Sequence, residues 1–358
     1  MTRFSVLLSA AVLAGGIGAV PGAGASAAAR PAEDCQTVNF TPFSRVQEAA
    51  ALRYWTPRRM AAATPQNPAT EPTASASQLK TATSTACVPL STATGAPAVA
   101  AAARGGATPN GTFGGYPAEG KLFITNLAGA KGTCTGSVVN GTNQPNNASL
   151  VLTAAHCILG SRNGHEYINT SAIFAPKYAR GKSPYGRWTA TGYAWTSDWM
   201  KCANPSKCAT HPEYDYLILV MAKLNGQHLG SVTGQNGWEI NPARTVDGVR
   251  LVGYPCCYAP KNKQGAPIPV SKQLPLTTVG TAATVTEGGQ LFRRENSPGF
   301  TDGTSGSPWL IRIGHDLGIV IADLGGYEMG GSKPSPSYAP FWNGTFSNVM
   351  KKAVQLED

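Results

Sequence analysis

The chain has 358 residues, enough for two modest domains with appendages, so the size of its core is not limiting. Lysine and arginine number 29 against 19 aspartates and glutamates. The resulting charge of +10 is spread along the chain with no basic arm, which argues against a nucleic-acid-binding protein and for a basic surface on an exported one. The eight cysteines include no C-x2-C pair, which excludes the common zinc patterns and fits a disulfide framework in an oxidising compartment.

In chain order, Met1-Thr2-Arg3, the apolar run Phe4 to Val20 and the small-residue stretch Pro21 to Ala29 have the layout of a secretory signal peptide, assigned to residues 1–27. Later apolar runs are too short to span a bilayer, so a secreted, extracellular protein is expected. Residues 28–112 are rich in Ala, Thr, Pro and Ser and look largely unable to form a core of their own, which suggests a pro-segment or a linker, partly disordered. Within them Phe43 to Leu52 can be helical, and Thr56-Pro57 reads as an N-cap with proline at the first position of a second helix.

From about Gly114 short apolar runs alternate with Gly, Pro and Asn: Lys121 to Asn126, Gly136 to Val139, Leu150 to Thr153, Tyr216 to Met221, Val249 to Gly253, Thr277 to Thr286, Pro308 to Ile313 and Leu317 to Leu324. Many short strands with turn signals between them predict an all-β sandwich or barrel. Phe346, Val349, Met350, Ala353 and Val354 then recur at helical spacing and predict one amphipathic C-terminal helix.

Three stretches carry chemistry. Thr153-Ala154-Ala155-His156-Cys157 follows the apolar strand Leu150-Val151-Leu152 and resembles the histidine motif of chymotrypsin-like serine peptidases. Gly303-Thr304-Ser305-Gly306-Ser307-Pro308 resembles that family's nucleophile motif G-D-S-G-G-P with two changes. Its small residues let the chain turn tightly and leave the Gly303 and Ser305 amides to bind an oxyanion. Asp215, just before the apolar strand Tyr216 to Val220, resembles the family's aspartate, which orients the imidazole; Asp198 is the alternative between His156 and Asp215, in a less fitting context. The order His, Asp, Ser is that of chymotrypsin, whereas α/β-hydrolases and subtilisins carry the same three groups in other orders.

The resemblance covers about residues 114–355 and looks closest to secreted bacterial and fungal members, including the glutamyl endopeptidase branch, to which Val252-Gly253-Tyr254-Pro255 adds a little. It implies an all-β fold of two six-stranded antiparallel β-barrels with a C-terminal α-helix. The first barrel would span residues 113–230 with His156 and Asp215, and the second residues 231–358 with Ser305 and the helix. It also implies a disulfide between Cys134 and Cys157, a serine endopeptidase activity through His156, Asp215 and Ser305, and an oxyanion hole at Gly303 and Ser305. No metal or organic cofactor is expected. The expected partners are protein or peptide substrates, with neither nucleic acid nor membrane, and the expected state is a monomer. A non-catalytic binding protein on the same fold and an acyl or ester hydrolase are the alternatives.

The sequence departs from trypsin-type members at two places. Where those pair a freed N-terminal amine with an aspartate just before the nucleophile, this chain has Thr304, and Thr112-Phe113-Gly114-Gly115 is a poor match to their start, so the oxyanion hole must be ordered another way. Where they hold a specificity aspartate six residues before the nucleophile, this chain has Gly299. Aligning Leu317 to Gly326 on the paired glycines puts Asp323 near the glutamyl branch's specificity histidine, where a carboxylate would favour a basic side chain. Cys202 and Cys208 bracket a small loop. Cys35, Cys87, Cys256 and Cys257 can pair either as Cys35–Cys87 with a vicinal bridge or as two bridges from the N-terminal region to the second barrel. N-x-S/T sequons stand at Asn39, Asn110, Asn140, Asn147, Asn169 and Asn343.

Overall fold

The computed structural model describes residues 36–65, 86–88, 117–126, 131–141, 148–162, 165–204, 207–256, 274–296, 299–314, 317–330 and 336–357. The expected signal peptide, Thr112 to Gly115, Cys35, Cys257 and the sequons at Asn110 and Asn147 lie outside the described residues, as do the side chains of Cys87, Cys202 and Cys208.

The N-terminal part supplies strands β1 (Gln36–Pro42) and β2 (Ala86–Val88). Next come β3 (Glu119–Asn126), β4 (Lys131–Val139), β5 (Leu150–Thr153), β6 (Leu159–Arg162), β7 (His165–Pro176) and β8 (Trp188–Thr196). A hairpin of β9 (Met200–Asn204) and β10 (Lys207–Thr210) precedes β11 (Leu217–Met221). The order β8-β11-β5-β4-β3-β7, with β7 pairing back onto β8, closes a six-stranded barrel. Strand alternation explains its burial on both faces: Leu217, Leu219 and Met221 of β11 point into the barrel, whereas Ile218 and Val220 join an outer apolar layer.

The second half is built from β12 (Gly237–Trp238), β13 (Thr245–Gly253), β14 (Leu276–Glu287), β15 (Gln290–Glu295), β16 (Pro308–Gly314), β17 (Leu317–Asp323) and β18 (Ser337–Pro340). These form a curled half-barrel sheet of order β12-β17-β16-β13-β14-β15-β18, the second half of the expected two-barrel fold. Among the described residues no pairing joins β12 to β18, because β12 is only a two-residue strand lying parallel to β17. Trp309, Ile311, Ile319 and Ile321 fill the hollow of this sheet. On its other face Leu310 and Val320 enter the same apolar layer as Ile218 and Val220, and that layer holds the two halves together.

The predicted C-terminal helix spans Gly344–Val354 and starts at Asn343, whose side chain accepts from the Thr345 N–H. Phe346, Val349, Met350 and Ala353 are fully buried in the inter-half layer, with Phe346 stacked on Trp342 at 3.7 Å.

The segment Gln36–Pro65 is folded onto the first barrel. β1 extends the barrel sheet antiparallel to β8, from Val38 opposite Thr196 to Pro42 opposite Gly192. Gly192 makes this pairing possible, since a Cβ there would lie 2.4 Å from Phe40 Cζ. Helix α1 (Arg45–Tyr54) begins with a capping box between Ser44 and Gln47, and helix α2 (Pro57–Ala62) begins with Thr56 as N-cap and Pro57 in the first turn. Ala51, Trp55 and Met60 are buried against Phe123, Ile173, Tyr178 and Tyr254, and Trp55 Nε1 donates to Thr125 Oγ1 at 3.1 Å. The segment therefore has no core of its own, as its composition implies, and completes one with residues of the barrel.

Three sequons are closed to modification in the folded chain: Asn39, Asn140 and Asn169 are buried, and Asn169 Nδ2 donates to the Cys157 carbonyl at 2.6 Å. No helix among the described residues is long and apolar enough to cross a membrane.

Candidate active site

β5 and β11 pair antiparallel with Thr153 opposite Leu217, so the residues just past the end of β5 and just before the start of β11 emerge at the same end of the ladder. His156 sits there in the single 3-10 turn Ala155–Cys157, and Asp215 caps the turn Pro212–Tyr214. Cys157 is disulfide-bonded to Cys134 of β4, which ties the histidine turn to the neighbouring strand. The sequence expectation paired these two cysteines.

Asp215 is fully buried and accepts three N–H groups. Its Oδ1 takes the His156 backbone N–H at 2.9 Å, and its Oδ2 takes His156 Nδ1–H and the Gly326 N–H, each at 2.7 Å. With the proton of a neutral imidazole on Nδ1, Nε2 is left as an acceptor, and Ser305 Oγ lies 2.7 Å from it. His156 is 6% exposed and Ser305 is half-buried, so the hydroxyl is reachable while the groups behind it are shielded from water. Asp198 is apart from this set, in the turn Ser197–Trp199 with its backbone N–H on Thr196 Oγ1.

Ser305 is carried on the turn before β16. Gly303 has φ +93°, and a Cβ there would lie 2.6 Å from the Tyr254 carbonyl oxygen, so glycine is required on both counts. Among the described residues neither the Gly303 nor the Ser305 N–H donates to a protein acceptor. Two amides in one tight turn beside a hydroxyl are suited to bind an oxygen that becomes negative. Thr304 directs its Oγ1 to the Thr301 carbonyl at 2.5 Å within the same loop.

Asp323 is not a residue of the cleft. It is fully buried, and its Oδ1 accepts from Trp342 Nε1 at 3.2 Å, on the side of the sheet that faces the C-terminal helix. A register shift in β17 turns it there: Trp309 pairs with Ala322 and Leu310 with Val320, so Ile321 is an extra residue and Asp323 falls on the face of Val320, while the Leu324 carbonyl meets the nucleophile turn by accepting from the Gly306 N–H at 2.7 Å. Burial, and then the charge of Asp215, push the Asp323 carboxyl well above the ordinary carboxylate range. An unfolded aspartate releases its proton near pH 4, so native stability falls as pH rises from there towards the higher native value. Asp323→Asn is accordingly expected to raise the thermal unfolding midpoint at pH 7 and to leave it nearly unchanged at pH 3, as calorimetry at both pH values would measure.

Two contributors to the site have no clear mark in the sequence. Gly326 donates through its backbone, a role without a side-chain signature, and only its pairing with Gly325 after a strand hints at it. Cys256, which is disulfide-bonded, donates its N–H to the Asp302 carbonyl at 2.8 Å and so holds the loop leading to Ser305.

No protein-family model matches the chain, and no curated protein sequence matches it. Among solved structures, the crystal structure of the protease Anisep from Arthrobacter nicotinovorans is 29% identical, with a TM-score of 0.54, over 67% of this chain and 97% of its own. The crystal structure of the thermostable serine protease AL20, from an extremophilic microorganism, is 24% identical, with a TM-score of 0.50, over 67% of this chain and 97% of its own.

Proposed function

From the premise that the chain is a chymotrypsin-like serine peptidase, we propose that Ser305 is its nucleophile, His156 its general base and acid, and Asp215 the group that holds the imidazole. The observation that supports this most is the continuous line of short contacts from Asp215 Oδ2 through His156 to Ser305 Oγ, 2.7 Å at each step.

Ser305 Oγ attacks a peptide carbonyl while His156 Nε2 takes its proton. The negative oxygen of the tetrahedral species is bound by the Gly303 and Ser305 amides. Asp215 keeps Nδ1 protonated and stabilises the imidazolium without itself taking the proton. His156 then protonates the leaving amine, and water attacking in the reverse sense releases the acid from the acyl-enzyme. Every group the cycle needs is a side chain or amide of this chain, and the substrates are proteins or peptides.

The same reading takes the protein as secreted and monomeric, with residues 1–27 as signal peptide and residues 28–112 as a pro-segment. Pro65 supports the last point, because its Cγ lies 3.4 Å from where a Cβ on Gly303 would be, beside the proposed oxyanion site. The preference for a residue next to the scissile bond differs from trypsin's, given Gly299.

The test is turnover of casein and of peptide libraries by the purified protein, alongside p-nitrophenyl acetate. Cleavage of peptides is the expected result. Turnover of the ester alone would make the protein an acyl hydrolase, and turnover of neither after removal of residues 28–112 would make it a binding protein.

A further inference from the structure

Trypsin-type members fix the oxyanion loop with an ion pair from a freed N-terminus, and Thr304 denies this chain that device. The loop is nevertheless tied by backbone hydrogen bonds, and its centre is a glycine. Gly303 has the greatest backbone freedom of any residue and stands at positive φ, so its flanking peptide planes must be held from outside.

The hydrogen bonds show what holds them. A planar trans peptide whose carbonyl is anchored has its N–H pointing the opposite way. The Asp302 carbonyl, which shares a plane with the Gly303 N–H, accepts from the Cys256 N–H at 2.8 Å. The Thr304 carbonyl, which shares a plane with the Ser305 N–H, accepts from the Ser307 N–H at 2.9 Å. Between them the Gly303 carbonyl accepts from Thr135 Oγ1 at 3.0 Å, and the Ser305 carbonyl accepts from the Thr135 N–H at 2.8 Å.

Thr135 belongs to β4 of the first barrel, next to the disulfide-bonded Cys134, and it is fully buried. Its hydroxyl also accepts the Tyr254 N–H at 3.0 Å, and its carbonyl accepts Thr153 Oγ1, at the end of the strand that leads to His156, at 2.8 Å. One residue therefore joins the nucleophile loop, the end of β13 and the histidine strand. A hydroxyl is needed for this, because the same oxygen must donate to one backbone group and accept from another.

We infer that Thr135 is a positioning residue for the oxyanion-binding amides of Gly303 and Ser305: Cys256 and Ser307 hold the two peptide planes that carry those amides, and Thr135 holds the planes that alternate with them, Gly303–Thr304 and Ser305–Gly306, in the role an N-terminal ion pair fills in trypsin-type members. This rests on the reading of Ser305 as nucleophile. Thr135→Val keeps the side-chain shape and leaves the Gly303 carbonyl and the Tyr254 N–H buried without a partner, whereas Thr135→Ser keeps both bonds.

The experiment is burst kinetics with p-nitrophenyl acetate, in which the burst amplitude counts working sites and the saturating burst rate is the acylation rate per site. Thr135→Val should lower that rate about 100-fold, the size of losing one oxyanion donor, at a little-changed KM. Thr135→Ser should stay within about threefold of the unaltered protein. A wild-type rate per titrated site in Thr135→Val would overturn the inference, and so would equal impairment in Thr135→Ser and Thr135→Val. Should the valine variant not accumulate as folded protein, Thr135→Ala against Thr135→Ser gives the same decision, with unfolding midpoints measured on both. A fluorophosphonate adduct that forms on the unaltered protein at a residue other than Ser305 would instead overturn the assignment of Ser305 itself.

Discussion

Ser305→Ala is expected to lower peptide turnover about 10⁶-fold while leaving the fold intact. The substitution removes one atom, Oγ, whose recorded partner is His156 Nε2 at 2.7 Å. The backbone of residue 305 keeps its work, since the carbonyl still accepts from the Thr135 N–H and the amide remains in place for an oxyanion. Asp215 and His156 keep their mutual contacts as well. A residual rate about 10³-fold to 10⁴-fold above that of water should survive, because binding and the oxyanion amides still act on the substrate. Steady-state assays on a peptide substrate, with circular dichroism on both proteins, would check this. A loss smaller than about 100-fold in a folded variant would mean that the nucleophile lies elsewhere.

Asp215→Asn is expected to lower kcat about 10⁴-fold with a much smaller effect on KM. The carboxylate accepts from three N–H groups that converge on it, and an amide offers one acceptor oxygen in place of two. If the amide nitrogen takes the place of Oδ2, it confronts two donors, Gly326 N–H and His156 Nδ1–H. The imidazole relieves this by moving its proton to Nε2, which then donates towards Ser305 and no longer accepts its proton. If the amide is turned over, its nitrogen confronts the His156 backbone N–H instead. The first arrangement disables the base and the second sets two N–H groups against each other beneath the histidine turn, and comparison of kcat and KM with the unaltered protein would measure the effect. An unchanged kcat would show that the carboxylate is only a structural anchor.

The local parts of this architecture were legible in the sequence. All eight apolar runs named from the sequence coincide with strands, with only Tyr216 and Leu324 one residue outside them, and the C-terminal helix follows its apolar spacing. Both hold because period and burial agree within one short stretch. His156, Asp215 and Ser305 stand out in the sequence through their flanking residues, and the structure brings their side chains to hydrogen-bond distance.

What escaped the sequence depends on partners far along the chain. β8 reads Trp-Thr-Ala-Thr-Gly-Tyr-Ala-Trp-Thr and is buried on both faces, so it lacks the alternation that marks a half-exposed strand. β1 is a strand only because Gly192 lets Phe40 lie against β8. Asp323 follows an extra residue in β17, and that irregularity, which depends on pairing with β16, turns its side chain to the face of Val320. Thr135 stands inside a motif that draws notice for Cys134, and only the fold brings it to Gly303, 168 residues later.

Activation of Ser305 by His156 can be checked by locating the adduct of a fluorophosphonate probe by mass spectrometry. An adduct on Ser305 is expected, absent in Ser305→Ala and formed far more slowly in His156→Ala. An adduct on another residue, such as the neighbouring Ser307, or undiminished labelling of Ser305→Ala, would contradict it.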